Sequence, residues 1–173
     1  MIDVDQLAAA EKENWVWGGV QCLEPAARRC LVSLTRGGGD AHVVREFDVP
    51  SRRFVARGFV LPEAKGSLAW IDINRVFVDT DFGPGSMTES GYPRIVKEWR
   101  RGTPLASAST VFEGRASDTS ASAWKDFTPR HERRIRHSAY PPSSPTNCSC
   151  GSRAYWQRST NRTMPRPTRS ATS

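Results

Sequence analysis

This sequence predicts an all-β fold: a partial β-propeller of about two four-stranded antiparallel blades, followed by a disordered C-terminal tail. Three observations carry that expectation. From Asn14 onward the apolar residues fall in short clusters rich in Val, Trp and Phe, each closed by Gly, Pro, Asn or Asp, which is the punctuation of strands and turns. The clusters form two similar sets of four, spaced about every 50 residues as propeller blades are. Composition then breaks at Thr128/Pro129, beyond which there is no Leu, Val, Phe, Asp or Lys.

The strands follow in order. Residues 14–21 (NWVWGGVQ), 28–35 (RRCLVSLT), 42–49 (HVVREFDV) and 53–60 (RFVARGFV) make the first set; 67–72 (SLAWID), 75–80 (RVFVDT), 94–101 (RIVKEWRR) and 109–113 (STVFE) make the second. In each set a tryptophan-bearing strand (Trp15, Trp17; Trp70) precedes an apolar one (Leu31 to Leu34; Val76 to Val78). A charged strand with one aromatic follows (Arg45, Glu46, Phe47; Lys97, Glu98, Trp99), then one carrying Phe and Val (Phe54, Val55; Val111, Phe112). Gly37-Gly38-Gly39-Asp40 supplies the positive φ a hairpin needs, Pro50-Ser51 ends the third strand, and Ile73-Asn74 turns between two strands. Helical periodicity is confined to a turn at Asp5 to Glu13, and residues 81–93 form one long loop.

In Arg75-Val76-Phe77-Val78-Asp79 apolar side chains point to both faces, so both faces must be covered. Stacked blades do this; a two-sheet sandwich is the architectural alternative. The charged third strands suit the outer part of a blade, where solvent reaches in. Two blades alone leave a sheet face open at each side, so association through exposed blade edges is expected.

Net charge is +7, but nine arginines and only one acid, Glu132, lie in residues 129–173, leaving residues 1–128 near neutral. No apolar run is long enough to span a membrane and the N-terminus lacks a signal-peptide pattern, so a cytoplasmic location is expected. Cys22, Cys30, Cys148 and Cys150 do not make a disulfide framework in that compartment and are expected as idle or buried thiols.

The run from Asp81 to Leu105, DFGPGSMTESGYPRIVKEWRRGTPL, resembles part of the propeller of the prolyl oligopeptidase family of serine peptidases. ENWVWGGVQCL at 13–23, RRCLVSLTRGG at 28–38, GFVLPEAKGSLAWID at 58–72 and VFEGRASD at 111–118 are similar to it too. The resemblance covers about residues 8–128. It implies an N-terminal propeller that limits access to an α/β-hydrolase domain, whose Ser, Asp and His act on short proline-containing peptides.

None of that chemistry maps onto these residues. A nucleophile elbow requires G-x-S-x-G, and Gly83-Pro84-Gly85-Ser86-Met87 lacks the spacing, as does every other serine. His42 reads as an edge-strand residue, and His131 and His137 lie in the tail. No catalytic, cofactor-binding or metal-binding residue is assigned, and no cofactor is expected. The chain is expected to be inert as a peptidase alone, with short peptides as partners only alongside a hydrolase domain. Gly83, Gly85 and Gly91 fit neither a P-loop nor a Rossmann turn and are read as shaping a blade connection.

Residues 129–173 carry nine Arg, 13 Ser and Thr together, and six Pro, a composition expected to stay disordered. His131, His137, Cys148 and Cys150 match no standard zinc spacing. A reading-frame shift in a G+C-rich gene explains such a segment. The alternative is a basic arm that binds polyanions or nucleic acid, with Tyr140, Tyr155 and Trp156 for stacking. The frame shift is preferred, because basic arms usually contain Lys and need not follow an interrupted domain, so a nucleic-acid partner is not expected.

Overall fold

The computed structural model describes residues 2–128 and the backbone of residues 135–140. Most of the predicted tail, with His131, Cys148, Cys150, Tyr155 and Trp156, lies outside the described residues.

Helix α1 spans Val4–Glu11; the Asp3 carboxylate caps it by accepting from Gln6 N at 3.0 Å, and Lys12 ends it in the left-handed region at φ 56°. A first sheet follows, made of β1 (Trp15–Cys22), β2 (Arg29–Arg36), β3 (His42–Asp48), β4 (Arg53–Phe54) and β5 (Val60–Ala64). Its path is β1-β2-β3, with β4 and β5 both pairing β3, and every pairing is antiparallel. The second sheet is β6 (Ser67–Asp72), β7 (Arg75–Asp79), β8 (Ile95–Arg100) and β9 (Ser109–Glu113), antiparallel in chain order. Strand β10 (Ser120–Lys125) then pairs with β11 (Ile135–Tyr140).

Three expectations change here. The single strand predicted at 53–60 is two short strands. The chain turns with Arg52 at φ 55° and again at Val55 to Gly58, where Gly58 N donates to Val55 O at 3.0 Å. Gly58 is needed because a Cβ there would strike the Glu46 side chain and Val55. Strand β10 was missed because Ser120-Ala121-Ser122-Ala123 has none of the β-branched residues that mark a strand. Strand β11 puts a paired segment inside the predicted tail.

The two sheets stack. Leu31, Val44, Phe59 and Leu61 of the first form one core with Leu68, Trp70, Val76, Val78 and Trp99 of the second. Phe59 sits edge-on to Trp70 and Trp99, with centroids 5.9 and 5.2 Å away. The outer faces are covered as well, which corrects the expectation of open faces. Trp15, Val32, Leu34 and Phe47 lie beneath Ile2, Val4, Leu7 and Ala8 at and beside α1. On the other side Ala69, Ile71, Phe77 and Val96 meet Ala121 and Ala123 of β10. Strands β1, β6 and β10, the first of each sheet, are neighbours. They form the inner ends of a radial stack, as in a propeller.

Antiparallel succession places alternate connections at opposite ends of the stack. Connections 23–28, 49–59, 73–74 and 101–108 share one end; 37–41, 65–66, 80–94 and 114–119 share the other.

Candidate functional site

The seam between the sheets holds the most built polar arrangement among the described residues. Glu46 lies mid-strand in β3 with its side chain fully buried. The sequence placed this charged strand toward solvent; the structure instead satisfies the carboxylate with partners from both sheets. Glu46 Oε1 accepts from Arg29 Nη1 at 3.1 Å and Arg101 Nη2 at 3.0 Å, and Oε2 from Arg101 Nη1 at 2.8 Å and the Phe59 amide at 2.9 Å. Arg101 also donates from Nε and Nη2 to Ile73 O at 3.0 and 2.6 Å, and stacks over Phe59 at 4.7 Å. A bidentate guanidinium is suited to this position because its planar fork meets both carboxylate oxygens. The clamp binds the end of the second sheet to the centre of the first. Closer to the inner strands, Trp70 Nε1 donates to Gln21 O at 3.1 Å.

The opposite end of the seam is looser. Tyr92 OH donates to Asp40 Oδ2 at 3.3 Å, and Lys65 reaches Asp40 at 3.6 Å while lying 4.7 Å over the Tyr92 ring. A cleft of about 540 Å³ opens here between β5 and the long loop, lined by Leu61, Ala64, Lys65, Thr80, Asp81 and Met87 among others. Beside it Asp79 is buried, and Ser67 Oγ donates to its Oδ2 at 2.6 Å. Burial raises the Asp79 pKa to about 6 against the opposing Ser67 hydrogen bonds.

The long loop has a structural logic of its own. Ser86 Oγ donates toward Asp81 Oδ1 at 3.0 Å and Gly83 O at 2.7 Å and accepts from Phe82 N at 2.9 Å. These contacts make Ser86 a loop-closing hydroxyl. Gly83, Gly85 and Gly91 take φ of 105°, 79° and 78°, the turn-shaping role read from sequence. Thr88 Oγ1 and Ser90 Oγ donate to Thr119 O at 3.0 and 2.7 Å, tying the loop to the approach to β10.

His42 begins β3, half-buried, paired with Thr35 of β2 on one side and Ala64 of β5 on the other, so it lies on an interior strand and not on the edge strand expected from sequence. His137 and Tyr140 lie in β11, paired with Ala123 and Ser120. No group of three His, Cys, Asp or Glu side chains suited to a metal ion occurs among the described residues.

The cysteine expectation is corrected: Cys22 and Cys30 form a disulfide. They face each other in the β1–β2 register with Cα atoms 3.9 Å apart, and the adjacent Leu23 N to Arg29 O bond of 2.8 Å makes theirs the closer, non-hydrogen-bonded kind of pair. Residue spacing alone does not reveal that register.

The described geometry is therefore that of a propeller-type scaffold: stacked sheets and a clamped seam. The comparisons add the family. No family model matches the chain. An uncharacterized peptidase of Sinorhizobium fredii is 46% identical over 121 residues, covering 70% of this chain and 17% of that protein. An uncharacterized peptidase of Rickettsia prowazekii is 26% identical over 121 residues, covering 65% of this chain and 17% of its own length. Among solved structures, a post-proline cleaving enzyme from Rickettsia typhi superposes with TM-score 0.74 at 27% identity, over 80% of this chain and 21% of that one. Oligopeptidase B from Leishmania major shares the fold, with TM-score 0.59 at 15% identity, over 80% of this chain and 18% of that one. Over about residues 8–128 the chain belongs to the N-terminal propeller region of the prolyl oligopeptidase family. It spans about a fifth or less of the length of these relatives.

Proposed function

We propose that this chain supplies the first blades of a propeller that limits substrate access to a prolyl oligopeptidase-type serine peptidase, whose chemistry resides in a hydrolase domain outside these residues. The observation that carries the reading is the radial stack: two complete sheets and the start of a third, inner strands side by side, with sequence similarity running through the same region. A clamped seam suits a filter, because blades held rigidly together define a fixed opening. Substrates on this reading are short peptides, proline-containing ones included. Residues 129–173 are read as out-of-frame sequence, which translation of the downstream DNA in the other frames tests: further blades and then a G-x-S-x-G elbow are expected.

The gating role is tested by a chimera in which residues 8–128 replace the matching segment of the Sinorhizobium fredii peptidase. Cleavage of a short proline-containing peptide should persist while an unfolded protein of domain size stays uncut. A folded chimera that cuts both equally well would end the proposal. So would serine-dependent peptide hydrolysis by the 173-residue chain alone.

A further inference from the structure

The two ends of the stack differ in charge, and the difference is concentrated in one turn. Arg28, Arg52, Arg53 and Arg57 are all exposed; among the described residues Arg28 acts on Asp48, helping to hold its carboxyl below the usual range, without closing to an ion pair. Backbone pairing gathers them. Val49 N donates to Arg28 O at 3.0 Å, Arg52 N to Val49 O at 3.3 Å, and Arg53 pairs with Asp48 in the β3–β4 register. Arg57 lies in the following turn, closed by the Gly58 N to Val55 O bond. Of the neighbouring acids, Glu46 is engaged by Arg29 and Arg101 and Asp48 by Arg29 at 2.8 Å and by Ser51 N, while Glu24 lies exposed in the connection before Arg28. The remote end sets Glu13, Asp40, Glu63, Asp81, Glu89 and Asp118 against Lys12, Arg36, Lys65, Arg94 and Arg115 and is close to neutral, with Arg36 paired to Glu13 and Glu63 and Lys65 to Asp40.

Exposed aliphatic residues lie among the arginines. Val49 is 44% and Val60 48% exposed, two of the few large apolar side chains open to solvent. Arginine around a small apolar centre is the composition of a protein-binding patch. A single-strand nucleic-acid platform would need exposed aromatic rings for base stacking. This turn offers none: Phe54 is half-buried beneath Arg45, 3.9 Å away. From this juxtaposition we infer that the turn at 49–60, together with Arg28, is a docking surface for an acidic polypeptide segment with interspersed aliphatic side chains. The inference does not depend on the gating proposal, since the turn at 49–60 joins the outer strands of the first sheet; Arg28, in the connection from β1 to β2, meets it through the Val49 N to Arg28 O bond.

The test uses the full 173-residue chain and a fluorescent peptide of alternating Glu and Val, followed by anisotropy. Alternating Lys and Val serves as control peptide. The Glu peptide should bind, the Lys peptide should not, and affinity should fall between about 50 and 300 mM salt. R52E/R53E/R57E should weaken binding by about tenfold or more, since three exposed attractions become repulsions. R153E/R158E/R162E makes the same charge change in the C-terminal segment and should leave affinity within about twofold. Because the first three sites are exposed, that variant should melt at the parent temperature. Equal losses from the two triple variants, or no binding of the Glu peptide, would overturn the inference. A thymidine oligonucleotide displacing the peptide at lower concentration than unlabelled peptide does would overturn it as well.

Discussion

Replacing Asp79 with Asn should stabilise the protein at neutral pH, although it removes a hydrogen-bonded acid from the edge of the seam. The carboxyl is buried, and the polar groups that meet it are the Ser67 hydroxyl, at 2.6 Å, and the Ser67 backbone. Desolvation moves its pKa from 3.8 to about 6. Each unit is worth about 1.4 kcal/mol, so the displacement corresponds to about 3 kcal/mol. The unfolded chain loses this proton near pH 4 while the folded one keeps it to about 6, so the native state binds more protons across that interval. Stability from this group is therefore complete below about pH 4 and lost as pH rises through about 6. Asparagine is neutral throughout, nearly isosteric, and can keep the Ser67 contact. Urea titrations followed by tryptophan fluorescence between pH 4 and 8 measure both proteins, and taking their difference cancels every other titrating group. Asp79→Asn should exceed the parent by up to about 3 kcal/mol at pH 7.5, with the advantage fading toward pH 4. A variant less stable at pH 7.5, or a difference that does not vary with pH, would show that the buried carboxylate is better compensated than its surroundings indicate.

Arg101→Met should cost about 3 kcal/mol in the same assay, because it leaves the buried Glu46 with Arg29 as its one remaining charged partner; Glu46→Met/Arg101→Met should recover part of that loss. A cost below about 1 kcal/mol would mean that the clamp is not a buried ion pair in solution. Cys22→Ser/Cys30→Ser should lower stability by about 2.5 kcal/mol, the loop-closure entropy for a separation of eight residues. Peptide mapping after alkylation without reductant should find the two cysteines linked in the parent. Thr35→Val should raise stability by about 1 kcal/mol, since the Thr35 hydroxyl is buried without a partner among the described residues and a methyl group fits the same space; a loss on urea titration would show that the hydroxyl is satisfied in solution.

The family region and most strand positions were legible because each rests on local information. The segments at 14–21, 28–35, 42–49, 67–72, 75–80 and 94–101 were found to within a residue or two, where alternating or continuous apolar runs end at turn formers. The prediction failed where local signals were weak or conflicting. Phe54, Val55, Phe59 and Val60 read as one strand, although Gly58 and the positive φ of Arg52 break it into two. The small residues of β10 read as nothing at all.

The sequence by itself determined where the backbone extends and which strands bury both faces, since side-chain alternation and turn chemistry act within a few residues. Tertiary structure alone decided which distant groups share an environment. Glu46 is a surface charge by its neighbours in the chain and a buried clamp by its contact with Arg101, 55 residues away. Likewise Cys22 and Cys30 become partners through strand register, and α1 and β10 become covers for open sheet faces. The physical reason is the same in each case: burial and pairing depend on what the folded chain brings within a few ångströms, and residue order constrains that only when the partners are close in sequence.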